Sequence, residues 1–209
     1  MKIVVFGASG GTGNHVVRQA LETGHQVTAF VRNPEKLGIE HPNLVVCQGD
    51  VMHGGKVEQA IAGQDAVIST LGSTRPPVPG MMETAAKNIV STMQKHGVKR
   101  LISTTGAGVR DPQDQPKLFD KVMKALLTVM AKDVLQDSEA NVNLIRASDL
   151  AWTIVRFPRL IDGQHTGKYR VGYLGKDSGS KLSRADAADF ILRELEKGEY
   201  VRKAPIVSY

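Results

Sequence analysis

A short apolar run over residues 3–6, Ile-Val-Val-Phe, stops at Gly7, and Gly10, Gly11 and Gly13 follow before a helical pattern opens at His15-Val16-Val17. Few features constrain a fold as tightly as this one. The run reads as a strand buried on both faces. The turn after it needs positive φ and a backbone that can come close to a ligand. The helix N-terminus then offers unpaired N–H groups and a positive dipole end to an anion. Strand, glycine turn and helix in that order is the context in which a glycine fingerprint points to a dinucleotide pyrophosphate. The spacing is G-x-x-G-x-x-G rather than G-x-G-x-x-G, and it makes Gly7, Ser9, Gly10, Gly11, Thr12 and Gly13 the candidate phosphate-binding residues. At Gly10 or Gly13 a side chain would fill space meant for the pyrophosphate.

The next strand, over residues 26–31, runs into Arg32-Asn33-Pro34. An NAD-specific site would carry an acidic residue here to bind the ribose hydroxyls. This chain has Arg32, with Lys36 close behind, and a guanidinium suits a 2′-phosphate. The expected cofactor is therefore NADP(H). A third strand, over residues 44–48, leads into Gly49-Asp50-Val51, which would bring Asp50 and Val51 beside an adenine. A fourth, over residues 66–71, ends at Leu71-Gly72-Ser73, where small residues let a cofactor pass close to the backbone. The loop Arg75-Pro-Pro-Val-Pro-Gly80 lies at the same sheet edge, with Arg75 either facing a ligand or solvated.

Helices are predicted over residues 16–24, 57–61, 85–96 and 138–147, and strands over 100–104 and 152–156. The apolar residues Leu118, Phe119, Val122, Met123, Leu126, Met130 and Val134 recur at helical spacing within 117–135, as a core face or an adaptable pocket wall. A strand or hairpin is expected over residues 167–174. Ser183, with Asp186 three residues on, resembles a capping box opening a last helix. Strand and helix alternate through six units. The expected fold is α/β, a doubly wound parallel sheet of Rossmann type, as one domain over residues 1–209. Substrate-side elements are expected at about 110–135 and 158–182.

Composition narrows the partners. The net charge is +6, but Lys and Arg are scattered rather than striped, so a small anionic ligand accounts for it and nucleic acid is not expected. No apolar run approaches a membrane span, and no signal peptide or metal site is expected. The single cysteine, Cys47, reads as a buried strand thiol, consistent with a reducing cytoplasm.

The segments Gly7-Ala-Ser-Gly-Gly-Thr-Gly13, Val31-Arg32, Gly49-Asp50-Val51, Gly63-Gln-Asp-Ala-Val67, Lys87-Asn-Ile-Val90, Lys95-His-Gly-Val98, Arg156-Phe-Pro158 and Ser183-Arg-Ala-Asp186 together resemble the atypical short-chain dehydrogenase/reductases. The likeness is greatest to the NADPH-dependent flavin reductase/biliverdin-IXβ reductase group, with NmrA-like proteins as wider relatives. It runs nearly end to end. The resemblance implies an NADPH-dependent reductase acting as a monomer or small homo-oligomer. The alternative it allows is a non-catalytic NADP-binding redox sensor of the NmrA-like kind.

The chain also departs from these relatives. The main branch of that superfamily uses a Tyr-x-x-x-Lys pair for proton transfer, and no tyrosine here has a lysine four residues on. In the flavin reductase group a serine follows the fifth strand and a histidine follows the sixth-strand proline. Those positions correspond to Gly106 and Arg159. Ser103, Thr104 and Thr105 are the hydroxyls available nearby. Pro158 and Arg159 would close the pocket on one side and Arg75 with the proline loop on the other, Arg159 either gripping an anionic group or paired with Asp162 or another carboxylate. A planar conjugated acceptor, such as a flavin, a biliverdin-like tetrapyrrole or a quinone, tolerates the missing acid because its proton can come from solvent.

Overall fold

Ile3, Val4, Val5 and Phe6 are all removed from solvent. Ile3 and Val5 join one hydrophobic cluster, Val4 and Phe6 another. A strand of side-chain period two buries every residue only when both faces of its sheet are covered. A computed structural model of the chain describes residues 1–74, 76–116 and 132–209. In it this strand, β1 (Lys2–Phe6), lies in the middle of the sheet. After it come α1 (Gly11–Glu22), β2 (Gln26–Val31), a 3-10 turn (Pro34–Lys36), β3 (Leu44–Gln48), α2 (Gly54–Ile61), β4 (Ala66–Ser69), α3 (Met81–His96) and β5 (Arg100–Gly106). Then follow α4 (Lys132–Ala147), β6 (Ala151–Phe157), β7 (Arg159–Ile161), β8 (Arg170–Gly172), β9 (Lys181–Ser183), α5 (Arg184–Lys197) and β10 (Ile206–Ser208).

Among the described residues the main sheet has eight strands in the order β3-β2-β1-β4-β5-β6-β10-β8. Every neighbouring pair is parallel except β8 with β10. The helices α1 and α5 bury their apolar stripes on one face, and α2, α3 and α4 on the other. This is the doubly wound α/β fold expected from the sequence. The chain winds outward from β1 to β2 on one side and to β4 on the other. The crossovers therefore part above the C-terminal ends of β1 and β4, which leaves a cleft there.

Several boundaries differ from expectation. The first helix begins at Gly11, with Gly10 as its N-cap, so two glycines of the fingerprint lie inside it. The third helix starts at Met81 and the fourth is described from Lys132. The strands β5 and β6 run on to Gly106 and Phe157, while β4 stops at Ser69. Three short strands escaped the periodicity: β7 and β9, which form a separate parallel pair, and β10. Because β3 is an edge strand, Cys47 is half-buried rather than enclosed. Arg75 and residues 117–131, with most of the predicted apolar stripe, lie outside the described residues. Ser183 Oγ does accept from Asp186 N at 3.0 Å. The Asp186 carboxylate does not close the box, however. It accepts from Thr166 N and Oγ1, Gly167 N and Tyr209 OH, tying the 166–167 loop to the residue after the last strand.

One buried ion pair holds the wall of the cleft. Arg156 on β6 is fully enclosed. Its Nη1 and Nη2 donate to the two oxygens of Asp114 at 2.8 and 2.7 Å, its Nε to Ala204 O and its Nη1 also to Val109 O. Asp114 further accepts from the amides of Asp111 and Leu174. From α4, Arg146 Nη2 reaches Asp111 at 2.7 Å. Loop 107–116 is thus pinned from both sides. Burial pushes the Asp114 carboxyl up, but Arg156 and the two amides outweigh it and hold the group below the ordinary carboxylate range. Its stabilisation is complete above the unfolded-state pKa and lost as pH falls through the lowered folded value. Asp114→Ala, which strands a buried guanidinium, is expected to cost about 3–5 kcal/mol in urea denaturation and to flatten the acid limb of the stability profile. An unchanged acid limb would show that the pair does not carry this load.

Candidate functional site

The turn after β1 rests on two glycines that act for different reasons. Gly7 takes φ +78, a conformation that side chains strain. Gly13 is buried in the first turns of α1, where a Cβ would overlap the Gly7 carbonyl oxygen and come within 2.7 Å of Thr70 Oγ1. A side chain at Gly13 therefore meets the protein's own backbone, not the space above the turn. Gly13 is the residue that lets α1 pack against the strand end. Gly10 is more open, with Gly7 O at 3.1 Å as the neighbour its Cβ would find.

Two cavities lie along the cleft and share Thr70, Leu71, Gly72 and Ser73. One, of about 340 Å³, is lined by Gly7, Ser9 and Gly10 at the turn and by Arg32, Lys36, Asp50 and Val51 at the ends of β2 and β3. Arg32 and Lys36 are exposed, and among the described residues no carboxylate pairs with either. Asp50 Oδ1 accepts from Met52 N at 2.9 Å, which shapes the turn that presents Val51. The other cavity, of about 530 Å³, runs over the ends of β5 and β6 to α4. Its walls are apolar side chains such as Met82, Leu135 and Phe157, interrupted by the hydroxyls of Thr12, Thr104, Thr105 and Ser138. Among the described residues Arg184 is the charged side chain on this lining.

A family model described as NAD(P)H-binding matches residues 7–197. The chain belongs to the NAD(P)H-binding family. Bacillus subtilis YwnB, an uncharacterized protein, is 28% identical over 210 residues, covering 96% of this chain and 94% of that one. A solved Burkholderia pseudomallei protein is 30% identical with a TM-score of 0.78, each chain covered over 100%. A short-chain dehydrogenase/reductase from Veillonella parvula, solved in complex with NADP, shares the fold at 20% identity and a TM-score of 0.80. That match covers 100% of this chain and 94% of the other.

The glycine turn fits the family's cofactor. The N-terminus of α1 has no side-chain cap and no acidic residue in its first turn. Among the described residues no acceptor takes the amides of Gly11, Thr12 or Gly13. Unclaimed donors at a positive helix end suit a pyrophosphate.

The remaining predicted residues divide. Thr104 and Thr105 line the larger cavity, and so does Pro158. Ser103 is buried within β5 and does not reach it. Arg159 is exposed on β7, because strand alternation turns Pro158 and Leu160 toward the cavity and Arg159 away. The charged group there is instead Arg184, which sequence reasoning missed because its neighbour in space, Gly11, is far away along the chain. None of the four tyrosines lines either cavity. Tyr169 OH donates to Asp189 at 2.6 Å, and burial together with that carboxylate raises its pKa further above neutrality.

The two glycines should behave differently on substitution. Gly13→Ala is expected to destabilise the fold by about 1–3 kcal/mol, the usual cost of overpacking, read as a lowered Tm. Gly10→Ala should leave Tm nearly unchanged and weaken NADPH binding about tenfold. The reverse pattern would exchange the two assignments.

Proposed function

We propose that this protein is an NADPH-dependent reductase acting on a planar conjugated acceptor: a flavin, a biliverdin-like tetrapyrrole or a quinone. The observation that carries this reading is the larger cavity, lined by apolar side chains and hydroxyls, with no tyrosine on it. Bound NADPH supplies a hydride donor. The residues of the cavity supply position: Met82, Leu135 and Phe157 offer flat apolar contact and exclude water, and the Thr104 and Thr105 hydroxyls hydrogen-bond a polar edge. An acceptor that spreads the incoming charge over a conjugated system needs no protein acid, so its proton can come from solvent. Preference for NADPH over NADH is supported by Arg32 and Lys36, exposed together at the rim of the smaller cavity.

Purified protein should oxidise NADPH when FMN, biliverdin and a quinone are offered in turn, followed by loss of reduced-nicotinamide absorbance. Tight NADPH binding with no turnover on any of them would favour the non-catalytic sensor instead. NADPH should bind more tightly than NADH, and Arg32→Ala should remove most of a difference of about 1–3 kcal/mol, the worth of a charge-assisted contact. Equal affinities in the unmutated protein would refute that choice. Tyr169→Phe and Tyr173→Phe should leave kcat nearly unchanged. A loss of about a hundredfold, the size expected for a removed general acid, would overturn the solvent-proton reading.

A further inference from the structure

Arg184 is the first residue of α5, directly after the N-cap Ser183, and its side chain reaches across to α1. Its Nε and Cδ lie 2.7 and 2.8 Å from where a Cβ on Gly11 would stand, so the guanidinium end lies against the first residue of α1. A cation is the wrong charge for a helix N-terminus, and here it faces two. The carboxylate in its own helix's first turn, Asp186, is committed to Thr166, Gly167 and Tyr209. The first turn of α1 holds no acid. Among the described residues the one carboxylate that meets Arg184 is Asp162, at 2.6 Å from Nη1. Asp162 follows β7 and its side chain is 94% exposed, whereas that of Arg184 is 29% exposed. A guanidinium concentrated with two positive helix ends, and answered by one carboxylate that stands almost wholly in water, is an arrangement built for an anion.

We propose that Arg184 is a clamp for the cofactor's pyrophosphate and that Asp162 is its stand-in, exchanged for the phosphates on loading. The inference rests on the family's cofactor and not on the identity of the acceptor. The amides of Gly11, Thr12 and Gly13 approach the pyrophosphate from the helix axis, and Arg184 closes over it from α5. Arg184 lines the larger cavity together with Thr12 and is absent from the lining of the smaller one. It therefore serves the half of the dinucleotide away from the adenine. Arg32 reads the 2′-phosphate at the other end. An exposed ion pair contributes little to stability, so Asp162 yields without disturbing the fold.

Calorimetric titration separates the two arginines. Arg184→Gln should weaken NADPH, NADH and ADP-ribose by one common factor, about tenfold or more for loss of a charge-assisted pair. It should spare adenosine 2′,5′-bisphosphate, which lacks the second phosphoryl of the bridge. Arg184→Lys, keeping the charge, should recover part of the loss. Asp162→Asn, an exposed change that leaves Tm alone, should tighten the same three ligands severalfold. The clamp is refuted if Arg184→Gln binds all three as tightly as the unmutated protein and changes only the KM for the acceptor, or if it weakens NADPH but not NADH. The exchange is refuted if Asp162→Asn leaves all affinities unchanged.

Discussion

The cleft depends on the contact between Gly13 in α1 and the carbonyl of Gly7 at the end of β1. A Cβ at residue 13 would overlap that oxygen and crowd Thr70 Oγ1. With no side chain there, the helix lies close against the strand end and aims its free amides over the sheet edge. The position of α1 in turn sets where a pyrophosphate can sit, and hence which strand ends lie along the rest of a dinucleotide. Close packing leaves little room for compromise at such a point, since interiors accommodate added volume poorly.

Charge is distributed along the cleft in keeping with that geometry. Arg32 and Lys36 stand at one end, the uncapped start of α1 in the middle and Arg184 beside it. The strongest ion pair of the region is spent elsewhere. Arg156 and Asp114, bidentate and buried, hold loop 107–116 against β6, and Arg146 with Asp111 holds it to α4. A wall so fixed keeps Val109 and Gly108 in place beside the larger cavity. Buried pairs of this kind are costly to break and poor at binding ligands, whereas the exposed cations of the cleft can still change partners.

Membership of the NAD(P)H-binding family gives the cofactor and does not give the reaction. That cavity presents hydroxyls and apolar surface, while the tyrosines are occupied away from it: Tyr169 with Asp189 and Tyr209 with Asp186. A site of this composition favours acceptors that need orientation more than proton delivery. The proposed reading as a reductase of conjugated acceptors rests on that lining as it stands among the described residues.

The sequence by itself determined the local chemistry. The buried run Ile3–Phe6 and the glycines after it required strand, tight turn and helix, and the repeated succession of strand and helix pointed to a doubly wound sheet, although β2 and β3 are joined by a 3-10 turn rather than a helix. The turn residues, with Arg32 at the end of β2, were legible because spacing along one βαβ unit fixes their separation in space. Contacts between distant segments were not legible. Nothing in local periodicity brings Arg184 to Gly11, or Arg156 to Asp114, and a three-residue strand such as β7 carries too little pattern to announce itself. That strand's register turned Arg159 outward and Pro158 inward, a one-residue matter that side-chain alternation decides and composition cannot. That Gly13 is crowded and Gly10 more open was likewise visible only when the helix lay on the strand, because the distinction is a matter of what each Cβ would meet.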